Sequence, residues 1–238
     1  PVTERDTINY GLAYEETKVT TFADSPLFYL DYVATFGRQT DAILATAGWV
    51  RDGRDSLIYP TKGVMQRATG EITVPGGSLK YYKATYQYQR YFPLTRHYTL
   101  MLNGELGYGE GLDNRPLPFF KNFFAGGVNS VRGYRSSTIG PKDQNGNPRG
   151  GSHRIVGNAE FLFPFPGLQN DKSVRLGGFV DAGMISEKFD SGDFRYSTGL
   201  SLFWSSPFGP IKMSVAAPLN SQSNDRKQVF QFTFGGAF

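Results

Sequence analysis

Residues 154–163 read Arg-Ile-Val-Gly-Asn-Ala-Glu-Phe-Leu-Phe, and their alternation sets the fold class of the whole chain. Arg154, Asn158 and Glu160 fall on one side of this stretch, and small or apolar residues fall on the other. A period of two is that of a β-strand, in which successive side chains point to opposite faces. The stretch therefore predicts a strand of about ten residues with one polar and one apolar face.

The same period recurs through most of the 238 residues. We count about ten alternating segments of roughly 9–14 residues, with aromatic residues gathered at their ends. Strands of soluble sandwiches are usually about five or six residues long, whereas a tilted strand needs about ten residues to cross a membrane. The sequence therefore predicts an all-β fold, a transmembrane antiparallel β-barrel whose polar faces line the lumen.

Connections of two lengths separate the strands. Short turns are predicted at Pro75–Ser78, Pro93–Arg96, Pro164–Lys172 and Pro207–Gly209, and long loops at Thr17–Thr40 and Gly111–Ser152. Short turns at one end of a barrel and long loops at the other are typical of outer-membrane proteins. Within the first long loop, Ser25, Pro26 and Gly37 favour a short helix over about residues 26–36. This helix would either pack on the barrel rim or lie in the membrane interface.

Composition excludes several classes of protein. The chain contains no cysteine, so neither a disulfide framework nor a thiolate metal site is available. A run of about 18 or more apolar residues does not occur, which excludes a transmembrane helix. The formal net charge of +4 is modest and the Lys and Arg residues are scattered, so we expect no nucleic-acid partner.

The polar residues fit no enzyme template. His97 lies in a turn beside Arg96 and His153 lies at a loop edge, and neither position suggests a catalytic triad or a metal site. No pair of carboxylates has the spacing of a glycosidase. The pair Gly126-Gly127 is not followed by the Lys and Ser or Thr of a phosphate-binding loop. We therefore expect no enzymatic activity, no cofactor and no metal.

The longest break in the alternation runs from Gly111 to Ser152, far beyond the usual connection between strands. A solvated, disordered segment would rarely hold as many aromatic residues as this one. They are Phe119, Phe120, Phe123, Phe124 and Tyr134. We expect the loop to fold against another part of the protein, and Arg132, between Val131 and Gly133, to have a partner.

Two carboxylates are candidates for that partner. Glu160 lies on the polar face of the first strand after the loop, and Asp181 on the polar face of the next strand. In a barrel both would point inward, where a guanidinium could form bidentate, charge-assisted hydrogen bonds with them. The alternative is that the two carboxylates only solvate a wet channel. Small residues that would let backbone approach the wall closely are Gly133, Gly157, Gly177 and Gly183.

Four motifs, taken together and in order, resemble the BamA superfamily of outer-membrane assembly and secretion barrels, and its assembly factors especially. They are Val131-Arg132-Gly133-Tyr134, Gly157-x-x-Glu160, Phe179-x-Asp181-x-Gly183 and an aromatic C-terminal residue, Phe238. Supporting stretches are Phe124–Gly127 through Thr138–Pro141, Ser205–Pro210 and Phe230–Phe238. The resemblance covers essentially the whole chain.

The resemblance implies a barrel of about 16 strands, with residues 1–238 as a C-terminal segment. It implies that the loop latch, Val131, Arg132, Gly133 and Tyr134, tucks into the lumen and that Arg132 pairs with Glu160 and Asp181 on the inner wall. It also implies a lateral gate between the first and last strands. The residues of the last strand that we assign to this gate are Phe230, Phe232, Phe234 and Phe238.

The function implied by the resemblance is the insertion and folding of other β-barrel proteins in the bacterial outer membrane, without nucleotide or metal. The implied partners are outer-membrane lipids, nascent β-barrel proteins, assembly lipoproteins and POTRA domains of the same full-length chain. An open strand edge that recruits another strand would serve this function by β-augmentation. The alternatives are a two-partner-secretion transporter, a passive porin and a membrane anchor fused to a patatin-like enzyme.

The chain departs from the family pattern in its strand count. About ten strands leave about six N-terminal strands and the other side of the gate unaccounted for. The chain also begins at Pro1, without a starting Met or a signal segment. We expect a piece of a longer protein, whose ten strands close on themselves, associate with another copy or belong to a larger barrel.

Overall fold

The computed structural model describes residues 2–22, 24–167, 173–189 and 192–235. Strands dominate it, as the alternation predicts. The elements in chain order are β1 (Asp6–Lys18), α1 (Leu27–Phe36), β2 (Gln39–Asp52), β3 (Gly63–Val74), β4 (Tyr81–Pro93), β5 (Thr99–Gly111), a 3-10 helix (Phe119–Lys121), β6 (Gly133–Tyr134), β7 (His153–Pro164), β8 (Val174–Ser186), β9 (Arg195–Ser206), β10 (Gly209–Pro218), β11 (Lys227–Gln228) and β12 (Phe230–Phe234).

Ten of these strands form one sheet in the order β1-β2-β3-β4-β5-β7-β8-β9-β10-β12. Every neighbouring pair is antiparallel. The prediction of an all-β, antiparallel fold with about ten strands is therefore confirmed. The sheet is open, because β1 and β12 each have a single strand neighbour in it. Closure of the ten strands on themselves, one of the three arrangements considered above, is wrong for the described residues.

The two small strands β6 and β11 pair with each other in a separate sheet, with Lys227 opposite Tyr134 and Gln228 opposite Gly133. The alternation does not predict them, because two residues are too few to show a period.

The alternation divides the large sheet into two faces. The inner face is the one covered by residues 112–152, which we call the long loop. On the outer face, apolar side chains such as Leu12, Leu200 and Phe232 are exposed. On the inner face, Arg175, Asp181 and other polar side chains are buried. This arrangement is inverted relative to a water-soluble sheet and is the one expected of a barrel wall.

One turn lies at the opposite end of the sheet from the one predicted. The sequence predicts Pro75–Ser78 at the same end as the other short turns, away from the long loops, and this is wrong. The backbone N–H of Ser78 donates to the carbonyl oxygen of Asp41 at 2.9 Å, at the start of β2, where the first long loop ends. Because each strand reverses the chain, connections that are two apart in sequence return to the same end of the sheet.

Helix α1 occupies the predicted position and ends at Gly37, whose φ of +90° suits glycine. Its aromatic residues pack edge-to-face against the long loop. The ring of Phe119 lies 4.8 Å from that of Tyr29 and 5.1 Å from that of Tyr32. The helix is thus packed against the long loop, and its position relative to the membrane interface stays a prediction. Over the described residues, no helix is long and apolar enough to cross a membrane.

Candidate functional site

The long loop crosses the inner face of the sheet from one edge towards the other. Near its start, Lys121 donates to Glu15 of β1 at 2.8 Å. Further along, the ring of Phe123 packs over Gly107 of β5, where a Cβ atom would stand 2.8 Å from the ring. The segment Val131–Tyr134 then lies over β7, β8, β9 and β10. The loop is folded against the wall, as its aromatic content predicts.

Arg132 contacts both carboxylates that the strand phases single out. Its Nε and Nη2 atoms donate to Oδ2 and Oδ1 of Asp181 at 2.8 Å and 2.7 Å, which is a bidentate pair. Its Nη1 atom donates to Oε1 of Glu160 at 3.0 Å. The backbone N–H of Arg132 also donates to Oδ2 of Asp181, at 3.0 Å. The structure therefore brings all three predicted residues together in one cluster, which we call the latch cluster.

The latch cluster is removed from water. The side chains of Arg132, Glu160 and Asp181 are 2%, 1% and 0% exposed. The guanidinium carbon also lies 3.4 Å from the ring centroid of Phe179, within range of a cation–π interaction. Burial opposes the charge of Arg132, but its hydrogen bonds to Asp181 and the attraction of both carboxylates raise its pKa above the ordinary value. The guanidinium is therefore a permanent cation.

Asp181 is bound more completely than Glu160. Besides the guanidinium and the backbone N–H, Asp181 accepts a hydrogen bond from Nδ2 of Asn158 at 2.8 Å. Glu160 accepts from Arg132 and from the Ser201 hydroxyl through Oε1, while its buried Oε2 has no hydrogen-bond partner among the described residues. The Arg132 cation thus lies between two carboxylates, of which Asp181 makes more hydrogen bonds than Glu160. Asp181 is therefore its principal partner.

An amide ladder, which the sequence analysis missed, holds Asn158 in place. Gln87 donates to Asn103 at 2.9 Å, and Asn103 donates to Oδ1 of Asn158 at 2.9 Å. Asn158 in turn donates to Asp181 and to the carbonyl oxygen of Ser130, the latter at 2.7 Å. The alternation could have revealed this ladder, because the amide side chains of β4, β5 and β7 all fall on the polar, inward-facing side of their strands.

The neighbours of Arg132 fill space on the wall. Val131 is buried, and a Cβ atom on Gly183 would lie 2.4 Å from its Cγ2 atom. Gly133 has a φ of +87° and lies over Ala216 and Pro218. The buried Tyr134 donates through its hydroxyl to the carbonyl oxygen of Tyr196 at 3.3 Å. All four residues of the predicted loop latch therefore lie against the inner wall.

Two of the other predicted small residues also matter for close approach. Gly183 makes room for Val131, and Gly177 makes room for Glu160, whose Oε1 would be 2.6 Å from an added Cβ atom. Gly157 does not, because an added Cβ atom would meet nothing within 4 Å. The expectation for Gly157 is thus wrong, since its position in β7 points away from the loop.

A second buried ion cluster, also missed by the sequence analysis, anchors the connection between β10 and β11. Asp225 accepts from Nε of Arg195 at 2.6 Å and pairs with Nζ of Lys142 of the long loop at 3.1 Å. Burial alone would raise the pKa of the Asp225 carboxyl, but hydrogen bonds from Gln222, Arg195 and Lys142 outweigh it and hold the pKa below the ordinary range. Lys142, Arg195 and Asp225 are far apart in sequence and share no motif.

The predicted gate residues Phe230, Phe232 and Phe234 lie in β12 with their side chains exposed on the outer face. Phe238 lies outside the described residues. In the parts of the chain that the structure describes, no group of three or more His, Asp or Glu side chains could hold a metal ion. The side chains of the latch cluster are held to one another by ion pairs and hydrogen bonds.

The comparisons with known proteins agree with this geometry. The Omp85 superfamily domain matches residues 1–238. The chain is 37% identical to the outer membrane protein assembly factor BamA of Neisseria meningitidis, covering 100% of this chain and 35% of that protein. It is 30% identical to the protein of the same name from Nitratidesulfovibrio vulgaris, over 82% of this chain and 25% of that protein. The chain thus spans about a third or less of these relatives.

A solved structure shares the whole fold. The crystal structure of BamA from Haemophilus ducreyi, lacking POTRA domains 1–3, superimposes with a TM-score of 0.91 at 26% sequence identity. The match covers 100% of this chain and 52% of that one. The open ten-stranded sheet therefore has the architecture of part of a BamA barrel.

Proposed function

The chain belongs to the Omp85 superfamily, and we propose that it is the C-terminal barrel segment of an outer-membrane protein assembly factor. The observation that carries this proposal is the match of the whole ten-stranded sheet to part of a BamA barrel, in which β12, with three exposed phenylalanines on its outer face, lies at one side of the sheet. An edge of this kind offers backbone donors and acceptors to an incoming strand. The names of the relatives favour assembly over the secretion, porin and lipase-anchor alternatives.

The proposed mechanism is β-augmentation. An unfolded outer-membrane chain pairs its first ordered strand with β12, and its apolar side chains meet lipid on the same side as Phe230, Phe232 and Phe234. Each further strand then pairs with the one before it. The reaction needs no covalent chemistry, so the proposed function uses neither nucleotide nor metal and is not enzymatic.

In this proposal the latch cluster keeps the wall behind β12 rigid. Arg132 crosslinks the long loop to β7 and β8 through Glu160 and Asp181, two strands that do not themselves reach the edge. A rigid wall lets an incoming strand pair with β12 while the other strands of the sheet stay paired. The proposed partners are nascent β-barrel proteins, outer-membrane lipids, assembly lipoproteins and POTRA domains of the full-length protein, and the proposed location is the outer membrane of a bacterium.

The experiment that tests this function uses the full-length protein in liposomes. An unfolded outer-membrane β-barrel protein is added, and its folding is followed by its resistance to protease. We expect faster folding than in empty liposomes. Equal rates would overturn the proposal.

A crosslinking pair locates the docking edge. Phe232 of β12 and Leu200 of β9 are both exposed on the outer face, at 68% and 65%, but only Phe232 belongs to an edge strand. With a photoreactive residue at each position in turn, we expect the substrate to crosslink at position 232 and not at position 200. Equal crosslinking at both positions would indicate nonspecific contact with the wall.

A further inference from the structure

The end of the described chain is divided between two partners. Residues Phe230–Phe234 pair with Val215–Ile211 of β10 in the large sheet. The two residues of β11, just before them, pair instead with Gly133 and Tyr134 of the long loop. The backbone N–H of Arg135 extends this ladder by donating to the carbonyl oxygen of Arg226 at 2.8 Å. The edge strand therefore begins on the loop and continues on the sheet.

A buried side chain joins the two parts. Gln231 points inward from β12, is 4% exposed, and donates through Nε2 to the carbonyl oxygen of Tyr134 at 2.7 Å. A carbonyl can only accept, so the amide of Gln231 is held in one orientation. The carbonyl oxygen of Tyr134 is thus bound to Gln231 of β12, while Tyr134 itself lies opposite Lys227 of β11.

The same loop residues are fixed to the wall from the other side. Tyr134 follows Arg132 by two residues, and Gly133 between them lies against β10, with a Cβ atom at that position 3.1 Å from that of Ala216. Any displacement of the latch cluster must therefore either carry the start of the edge strand with it or break the pairing with β11 and the bonds to Arg226 and Gln231.

We propose that Gln231 is a positioning residue that couples the loop latch to the C-terminal edge strand, so that Gly133–Tyr134 holds the start of that strand in register. The edge stays ordered while its outward side is free for an incoming chain. This inference deepens the proposed function and depends on it for its biological meaning, but the coupling itself is a property of the fold.

The variant that tests the coupling is Gln231→Leu in the full-length protein, which removes the donor and keeps the size. Hydrogen exchange of the β12 amides should become about tenfold faster, as expected for one buried hydrogen bond, while exchange in β2 and β3 stays unchanged. The matched control is Gln228→Leu, the same substitution three residues earlier, where the side chain is exposed. Exchange that is unchanged in Gln231→Leu, or raised equally across the sheet, would overturn the coupling.

A disulfide provides the rescue experiment. Arg135 and Arg226 are exposed and lie opposite each other at the end of the loop ladder, within reach of a disulfide after Arg135→Cys and Arg226→Cys. The oxidised crosslink should restore slow β12 exchange to Gln231→Leu, and the reduced form should not. Failure of the crosslink to restore it would count against the coupling.

Assembly activity is the second readout. Gln231→Leu should slow the folding of an added substrate several-fold, and the crosslink should restore the rate. If the unsubstituted protein does not accelerate folding at all, the proposed function fails while the exchange result still decides the coupling. If activity is normal in Gln231→Leu although β12 exchange is faster, the positioning role is overturned.

Discussion

Two of the ion-paired sites of the long loop, one at Lys121 and one at Arg132, differ in almost every physical respect. At its start, Lys121 meets Glu15 of the edge strand β1 through one contact of 2.8 Å, with side chains 15% and 35% exposed. At its centre, Arg132 meets Glu160 and Asp181 in full burial, through three side-chain hydrogen bonds and one from its backbone. The loop is therefore bound tightly to the wall at Arg132 and only weakly at Lys121.

The difference teaches how side-chain chemistry and burial act together. A lysine presents a point charge on a flexible stem and gains little from a partner that water also reaches. An arginine presents a planar fork that fits a carboxylate, and in a dry site neither group has water as an alternative partner. We therefore expect the site at Arg132 to determine the position of the loop on the wall, and the site at Lys121 to contribute little.

The largest effect is expected for Arg132→Ala. It leaves two buried carboxylates without their cation, which costs about 3–5 kcal/mol in comparable buried pairs. The folding free energy, measured by urea unfolding of the full-length protein in liposomes, should fall by that amount, and the loop should become sensitive to protease. Arg132→Lys should restore only part of the stability, because one ammonium cannot form the bidentate pair. Unchanged protease resistance of the loop would show that Arg132 does not hold it.

A smaller effect is expected when a methyl group is added beneath the loop. Gly183→Ala would place its Cβ atom 2.4 Å from Cγ2 of Val131, and overpacking of this kind costs about 1–3 kcal/mol. Gly157→Ala is the matched control on the neighbouring strand, since nothing lies within 4 Å of the added atom. The same unfolding experiment should separate the two variants, and equal stability would mean that the loop moves aside freely.

The third prediction concerns acid. Because its hydrogen bonds hold the pKa of Asp225 below the ordinary range despite burial, the cluster stabilises the folded state above that range and loses this contribution as the pH falls below it. Hydrogen exchange in residues 219–226, after correction for the intrinsic pH dependence, should therefore accelerate below about pH 4. Asp225→Asn should be unstable already at pH 7 and should lack this step. A step that persists in Asp225→Asn would have to come from another carboxyl group.

The smallest effect is expected for Lys121→Ala, which removes the more exposed of the two ion-paired sites. Removing this partly exposed pair should cost about 0–1 kcal/mol, and the difference from the unsubstituted protein should shrink further in high salt, because ions screen exposed charges. A cost as large as that of Arg132→Ala would reverse the ranking of the two sites.

The latch could be predicted from the sequence because its parts lie on strands with a clear period. Once β7 and β8 are phased, Glu160 and Asp181 must point to the same side, and the family resemblance assigns Arg132 as their partner. The amide ladder could have been found in the same way. The ion cluster at Asp225 could not, because Arg195, Lys142 and Asp225 come from three distant segments whose meeting depends on how two loops fold.

The position of Pro75–Ser78 and the role of Gly157 mark the limit of local patterns. Turn length alone does not tell which end of a sheet a turn occupies, whereas counting strand reversals does. A glycine in a strand indicates close approach only if it faces the packed side, and Gly157 faces away from it.

The sequence by itself determined the strands, their two faces and the family, because a period of two is imposed by the backbone and does not depend on distant contacts. Only the tertiary structure decided that β11 pairs with β6, that Asp181 binds Arg132 more completely than Glu160 does, and that the last strand starts on the long loop. Each of these depends on which groups meet across the inner face. The alternation alone does not determine these contacts, because they form only when the long loop folds onto the inner face.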